Sequence, residues 1–243
     1  MSAIEIAELT EGSILDQFLL GRNQDELTLQ DLSKALKDLR DRYEVRDLLA
    51  HYKQNDRLAQ IANRSYHHSN GFDKIVLEET GFLALRLHVW WKGFSNIDSD
   101  IHNHNFDFAS WIILGRMQNT LFTEAENGLA RTRYRYDIDG SLEYSMQPEC
   151  DVHLKIQFIS EHAVHSIYSI DHSVVHSGDP NIVEPTSTLV LQRSRPEMSN
   201  LIYRAEEKAQ ESDVDAVSCS SFTSKEVAEK LNRLDRMVAG EVG

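Results

Sequence analysis

The chain has little that would staple it, anchor it or break its elements. Two cysteines occur among 243 residues, Cys150 and Cys219, and no Cys-x-x-Cys pair. That excludes a disulfide framework and a thiolate zinc site. No apolar run approaches the roughly 18 residues of a membrane helix, and no signal-type apolar segment opens the chain. The expectation is a soluble, reduced, cytoplasmic protein with no membrane partner. Basic residues are scarce: 25 Lys+Arg stand against 39 Asp+Glu, a formal net charge of −14. Such a surface repels a phosphate backbone, so nucleic acid is excluded as a bulk partner. Only four prolines occur, three of them beyond residue 179.

What is present begins with helical periodicity. Leu27, Leu29, Leu32, Leu36 and Leu39 fall mostly three or four apart, and Val45, Leu48, Leu49 and Tyr52 continue the pattern. Residues 1–60 therefore read as a helical segment packed on the remainder. From residue 72 the period changes to two. Phe72–Leu77, Phe82–Trp91, Phe106–Leu114, Met117–Phe122, Ala130–Tyr136, Ser141–Met146, His153–Ile159, Val164–Ile170 and Thr188–Gln192 read as short strands. Asp139-Gly140 marks a hairpin between two of them. The fold expected is mainly β, an antiparallel barrel or jelly roll over 61–204 with no βαβ alternation. Residues 205–221 are acidic and serine-rich and read as a linker. Thr223 or Ser224 caps a final helix carrying Val227, Leu231, Leu234 and Val238 on one side.

Eleven histidines are the distinctive feature of the composition. His102-Asn103-His104 places two imidazoles on one face of a strand, roughly 6–7 Å apart along it. Two such groups on an inner face hold one divalent metal when a third ligand arrives from another strand. His176 is favoured for that place, with His172 as its competitor. Asp107 is the carboxylate alternative, but strict alternation points it away from His102 and His104 unless a bulge intervenes.

These residues carry a resemblance. Leu87-His-Val-Trp-Trp-Lys-Gly followed by Ser99-Asp-Ile-His-Asn-His104 resembles the first metal motif of the cupin superfamily. With Ile113-Leu-Gly-Arg-Met-Gln-Asn-Thr120-Leu-Phe122, its order is similar to the cysteine dioxygenase-like branch. Val174-Val-His176-Ser-Gly-Asp-Pro, Glu184-Pro185 and Thr188-Leu-Val-Leu resemble the second motif. The resemblance spans residues 61–196 and implies a cupin barrel, a His-only metal site with Fe(II) or another divalent metal, and O₂ as co-substrate. Two departures limit it. Ala109 stands where the crosslinked thiol dioxygenases carry their Cys. Thr188, Val190 and Gln192 stand where the family carries its Ser-His-Tyr relay. Cysteine is therefore not expected as substrate.

Arginine holds carboxylates bidentately. Arg64 lies close to the family's carboxylate-binding position, Arg86 sits beside His88, and Arg193 and Arg195 close the last strand. Arg64, Arg86 and Arg193 are the candidate substrate-binding cations, and Trp111 is a candidate pocket wall with Phe72, Trp90 and Trp91. Tyr168 is a candidate proton donor or O₂-facing hydroxyl, and His172 a catalytic candidate near the metal. The function expected is a mononuclear non-heme Fe(II) oxygenase acting on a small anionic or zwitterionic metabolite, as monomer or homodimer. A non-redox metal isomerase or lyase and a non-catalytic small-molecule-binding module are the alternatives.

Overall fold

A computed structural model describes residues 12–20, 26–91, 100–138, 144–180, 183–205 and 220–241. The Asp139-Gly140 turn, most of the acidic linker and Lys92–Ser99 of the first motif lie outside the described residues.

Four helices precede the strands: α1 (Ile14–Leu19), α2 (Leu29–Arg42), α3 (Val45–Tyr52) and α4 (Asn55–Arg64); α5 (Ser224–Val238) follows them. Local sequence sets their ends. Thr28 and Asp31 form a reciprocal capping box on α2, and Thr223 and Glu226 form another on α5. Each satisfies two backbone donors that the first turn leaves free. The leucine stripe behaves as its spacing demands, with Leu32, Ala35 and Leu36 buried along α2. Val227, Leu231, Leu234 and Met237 are buried along α5.

Twelve strands follow: β1 (Tyr66–His68), β2 (Phe72–Glu79), β3 (Leu83–Trp90), β4 (Ile101–His102), β5 (Phe106–Leu114), β6 (Arg116–Ala125), β7 (Leu129–Ile138), β8 (Tyr144–Ala163), β9 (Ile167–Ile170), β10 (Val175–Pro180), β11 (Thr186–Ser194) and β12 (Asn200–Arg204). They make two antiparallel sheets. One has the order β1-β2-β3-β11-β5-β9, and the other closes as β10-β4-β12-β7-β8-β6. The architecture is a mainly β, antiparallel jelly roll with helices before and after it. The sequence splits β8 into two runs, whereas the structure makes it one strand of 20 residues. The alternating patterns of 144–154 and 153–163 pair with β7 and β6 respectively, so both belong to one long strand.

Period-two alternation divides the first sheet between two tasks. Leu83, Leu85, Leu87 and Val89 on β3, Ala109, Trp111 and Ile113 on β5, and Leu189 and Leu191 on β11 face the helices in the main core. Their neighbours Arg86, His88, Phe108, Thr188 and Val190 face the barrel interior. A bulge between Val76 and Glu78 adds one exchange of faces. It turns Glu78 to the helix side, where its carboxylate accepts hydrogen bonds from Ser13 Oγ, Leu15 N and Tyr52 Oη at 2.6, 2.9 and 2.8 Å. The first helix is thereby seated on β2. Between β5 and β6 the chain turns through Gly115 at φ 73°, where a Cβ would collide with the Pro185 carbonyl and Thr186 Oγ1. No helix among the described residues is long and apolar enough to cross a membrane.

Candidate metal and ligand site

His102, His104 and His176 converge. One ring nitrogen from each lies within 4.8 Å of the others. His102 and His176 are register partners across β4 and β10, and this backbone pairing brings residues distant in sequence into contact. The rings of His102 and His104 stand 4.6 Å apart between centroids. They are closer than the strand repeat predicts because β4 ends at His102. The chain then turns, with Asn103 N donating to Leu201 O at 3.1 Å and His104 N to His172 O at 3.3 Å.

The donors are prepared for a cation. His102 Nδ1 contacts the Asp100 carbonyl at 2.6 Å, and His176 Nδ1 contacts the Val174 carbonyl at 3.2 Å. A carbonyl only accepts, so each Nδ1 carries the proton and each Nε2 keeps a free lone pair. Burial lowers all three imidazoles below the usual histidine range, His176 to about 3. They are neutral at physiological pH, the state a metal requires. Three neutral nitrogen donors, two of them with backbone-fixed tautomers, fit a divalent transition metal.

The cluster opens on a cavity of about 220 Å³. Phe72, Trp90 and Phe108 line part of it, and Phe72 stacks on His68 with centroids 4.5 Å apart. Arg86 is 4% exposed and sits over the Phe106 ring at 4.8 Å. Burial lowers its guanidinium to about 10, so it remains charged at neutral pH. Its Nε is buried without a hydrogen-bond partner, and no carboxylate pairs with it among the described residues. Lys74 is aligned with His88 on the neighbouring strand and its Nζ donates to Tyr66 Oη at 2.9 Å. The lining acid Asp100 is already bonded to Arg204 at 3.0 Å. The first-sheet wall of the cavity is therefore cationic although the whole chain is strongly acidic. Tyr168 also lines the cavity. Burial raises its phenol above the usual range, against the lowering effect of Ser110 and Asn119 beside it, so the hydroxyl keeps its proton.

Several sequence candidates are placed elsewhere. Trp111 is 1% exposed in the helix-side core, because alternation along β5 sets it opposite to Phe108. Trp91 is there too, under the Arg233 guanidinium at 4.4 Å. Arg193 shares the outward parity of Leu189 and Leu191 and donates to the Leu27 carbonyl. Arg64, at the end of α4, donates to the Leu77 carbonyl at 3.2 Å. None of Arg64, Arg193 and Trp111 lines the cavity. His172 does not line it either; its Nδ1 contacts Asp107 Oδ1 at 2.8 Å. Asp107 faces away from the histidine cluster, as alternation predicts, and binds Arg195 Nε at 2.8 Å through Oδ2. Asp107, Asp171 and His172 form a second close group, but Asp171 Oδ1 accepts from Ser173 N and Oγ and closes its own turn. Ala109 belongs to the helix-side core, so a side chain there points away from the histidines. Sequence reasoning missed His68 and His88 as cavity residues, and the parity of His88 with Arg86 on β3 was the available indication.

No protein-family model matches the chain, and no curated protein matches it. Solved structures to which it is similar include KdgF from Halomonas sp., at 10% identity over 55% of this chain and 91% of that one, TM-score 0.33. The DMSP lyase DddQ from Ruegeria pomeroyi DSS-3 is 14% identical over 53% of this chain and 50% of that one, TM-score 0.32. An RmlC-like cupin with a double-stranded β-helix fold from Methanocaldococcus jannaschii is 12% identical over 53% and 85%, TM-score 0.30. Likeness at this level says nothing about what this chain binds or catalyses.

Proposed function

We propose that the chain is a mononuclear non-heme Fe(II) oxygenase acting on a small anionic or zwitterionic metabolite. The observation that carries this reading is the pairing of three convergent neutral imidazoles with a buried arginine that forms no ion pair among the described residues, in one cavity. Imidazole donors suit iron, zinc, copper and nickel alike; the choice of iron rests on the resemblance of residues 87–122 and 174–191 to the cysteine dioxygenase-like cupins. His102, His104 and His176 hold the metal, which when bound supplies open coordination positions for O₂ and substrate.

The chain's own side chains do the rest. Arg86 receives the substrate's carboxylate or equivalent anion on its fork of N–H donors. The wall of Phe72, Trp90 and Phe108 limits water and fits an apolar portion of the substrate. Tyr168 holds a proton at its hydroxyl, ready to donate to a developing oxyanion. Nothing along Thr188, Val190 and Gln192 supplies a base for a thiol, so the substrate binds through its own oxygen or nitrogen atoms.

The test is elemental analysis of anaerobically purified protein, then O₂ uptake over a panel of amino acids, small carboxylates and thiols. Iron near one equivalent with O₂ uptake on a carboxylate supports the reading. Metal content without O₂ uptake on any compound overturns the oxygenase reading in favour of a non-redox isomerase or lyase. Saturable cysteine sulfinate formation, abolished by His104→Ala, overturns the exclusion of thiols.

A further inference from the structure

Strand β8 outlasts one of its partners. Its residues 144–154 pair with β7 and residues 153–163 with β6. Among the described residues, Lys155–Ala163 thus have a ladder partner on one edge only. Apart from the Ala163 carbonyl, which accepts from Ser166 N at 3.0 Å, the other edge presents backbone N–H and C=O groups with no ladder partner among the described residues, the arrangement that invites another strand. Its side chains do nothing to prevent this. Lys155 to Ile159 are exposed in unbroken succession, so neither face of the strand is covered there. Ile156, Phe158 and Ile159 are 50%, 59% and 50% exposed, an apolar cluster uncommon on an isolated soluble surface. The bulge opposite Leu121 and Phe122 bends this stretch without covering it.

The charges identify the occupant. Lys155 and Glu161 are both exposed and neither has an ion-pair partner among the described residues. Along a strand they stand roughly 20 Å apart, too far to meet each other. A two-fold axis near Phe158 removes that mismatch. It sets Lys155 of one copy beside Glu161 of the other, twice, and packs Phe158 against Phe158. A surface that is complementary to itself when reversed is what an isologous contact requires.

We infer that residues 155–163 of β8 are the contact between two copies of this chain, packed antiparallel about a two-fold axis near Phe158. The test is sedimentation velocity of the full chain over a concentration series. The wild type sediments as a dimer and Phe158→Glu as a monomer with unchanged circular dichroism. Lys155→Glu weakens association by about tenfold or more, because like charges then face each other at both ends. Adding Glu161→Lys to it restores the dimer, and this pair decides the matter even if Phe158→Glu does not fold. A monomeric wild type overturns the inference, as does a double variant that associates no better than Lys155→Glu. So does protection from exchange, in a monomer, of those 155–163 amides that point away from β6, which shows that the chain covers this edge itself.

Discussion

His102 and His176 face each other as partners in the β-ladder, with ring centroids 4.9 Å apart. Their approach is fixed by main-chain pairing, so the ligand geometry is set before any ligand arrives. Removing one imidazole leaves the other two in place. His102→Ala, His104→Ala and His176→Ala should each cut metal affinity by about tenfold or more while leaving a folded barrel. His172→Ala should keep most of the metal, because the backbone carbonyl that holds the His104 amide is retained, and lower activity through loss of the side-chain contact with Asp107 that steadies this turn. Metal titration with circular dichroism checks both. Full retention in His176→Ala would overturn the assignment of the third ligand.

Arg86 supplies the second prediction. Its charge is buried beside the histidine cluster, and no carboxylate among the described residues forms an ion pair with it, Glu79 acting on it only through space. Arg86→Met should raise KM for an anionic substrate by about tenfold or more, corresponding to loss of a charged hydrogen bond worth roughly 1.5–3 kcal/mol. The same change should stabilise the empty protein, because an unpaired buried charge is removed. Steady-state kinetics and denaturant unfolding measure the two effects, which should run in opposite directions.

Asp107 is an anchor between segments. Its carboxylate joins His172 to Arg195, at 2.8 Å on each side. Asp107→Asn should therefore leave metal stoichiometry near wild type and lower stability by about 2 kcal/mol. Loss of metal in this variant, with stability unchanged, would count against the three-histidine site.

Asp73 makes acid stability depend on the last helix. Burial on its own raises this carboxyl, but hydrogen bonds from Lys230, Trp91 and His67 outweigh it and hold the group below its usual value of 3.8. Lys230 Nζ and Trp91 Nε1 each lie 2.6 Å from Oδ2. A depressed folded value means that the stabilisation is complete above the unfolded value and is lost as pH falls through the folded one. Unfolding free energy should drop below pH 3.8 in the wild type, and part of that drop should be absent in Asp73→Asn. Denaturant titrations on both sides of that pH provide the check.

The sequence carried the helices, most strands and the histidine motif because each depends on local spacing. Phe106–Leu114 is a largely apolar, β-rich run ended by Gly115 and is a strand with those same bounds. The short strands β1 and β12 were not legible, and β4 and β10 were marked only by their histidines. Two to six residues hold too little pattern, and their pairing depends on partners far along the chain. The arginines show the same limit. Arg64, Arg86 and Arg193 are chemically equivalent in the sequence; strand parity separates Arg86 from Arg193, and Arg64 ends a helix instead of lying on a strand. Trp111 was misplaced for the same reason, although its neighbours Phe108 and Ala109 give the parity once one inward residue is known.

The second sheet closes on itself through β4 alone, two residues long, with His102 paired to His176 on one side and Ile202 on the other. The weakest seam of the barrel and the ligand position are therefore the same place. Whatever bridges His102 and His176 acts as a clasp, and its binding free energy is added to the closure of the barrel. Seam opening and ligand release become one equilibrium approached from two directions. Amide exchange at Ile101, His102 and Ile202 then reports site occupancy, and any change that loosens β12 or β10 weakens ligand retention without touching a ligating atom.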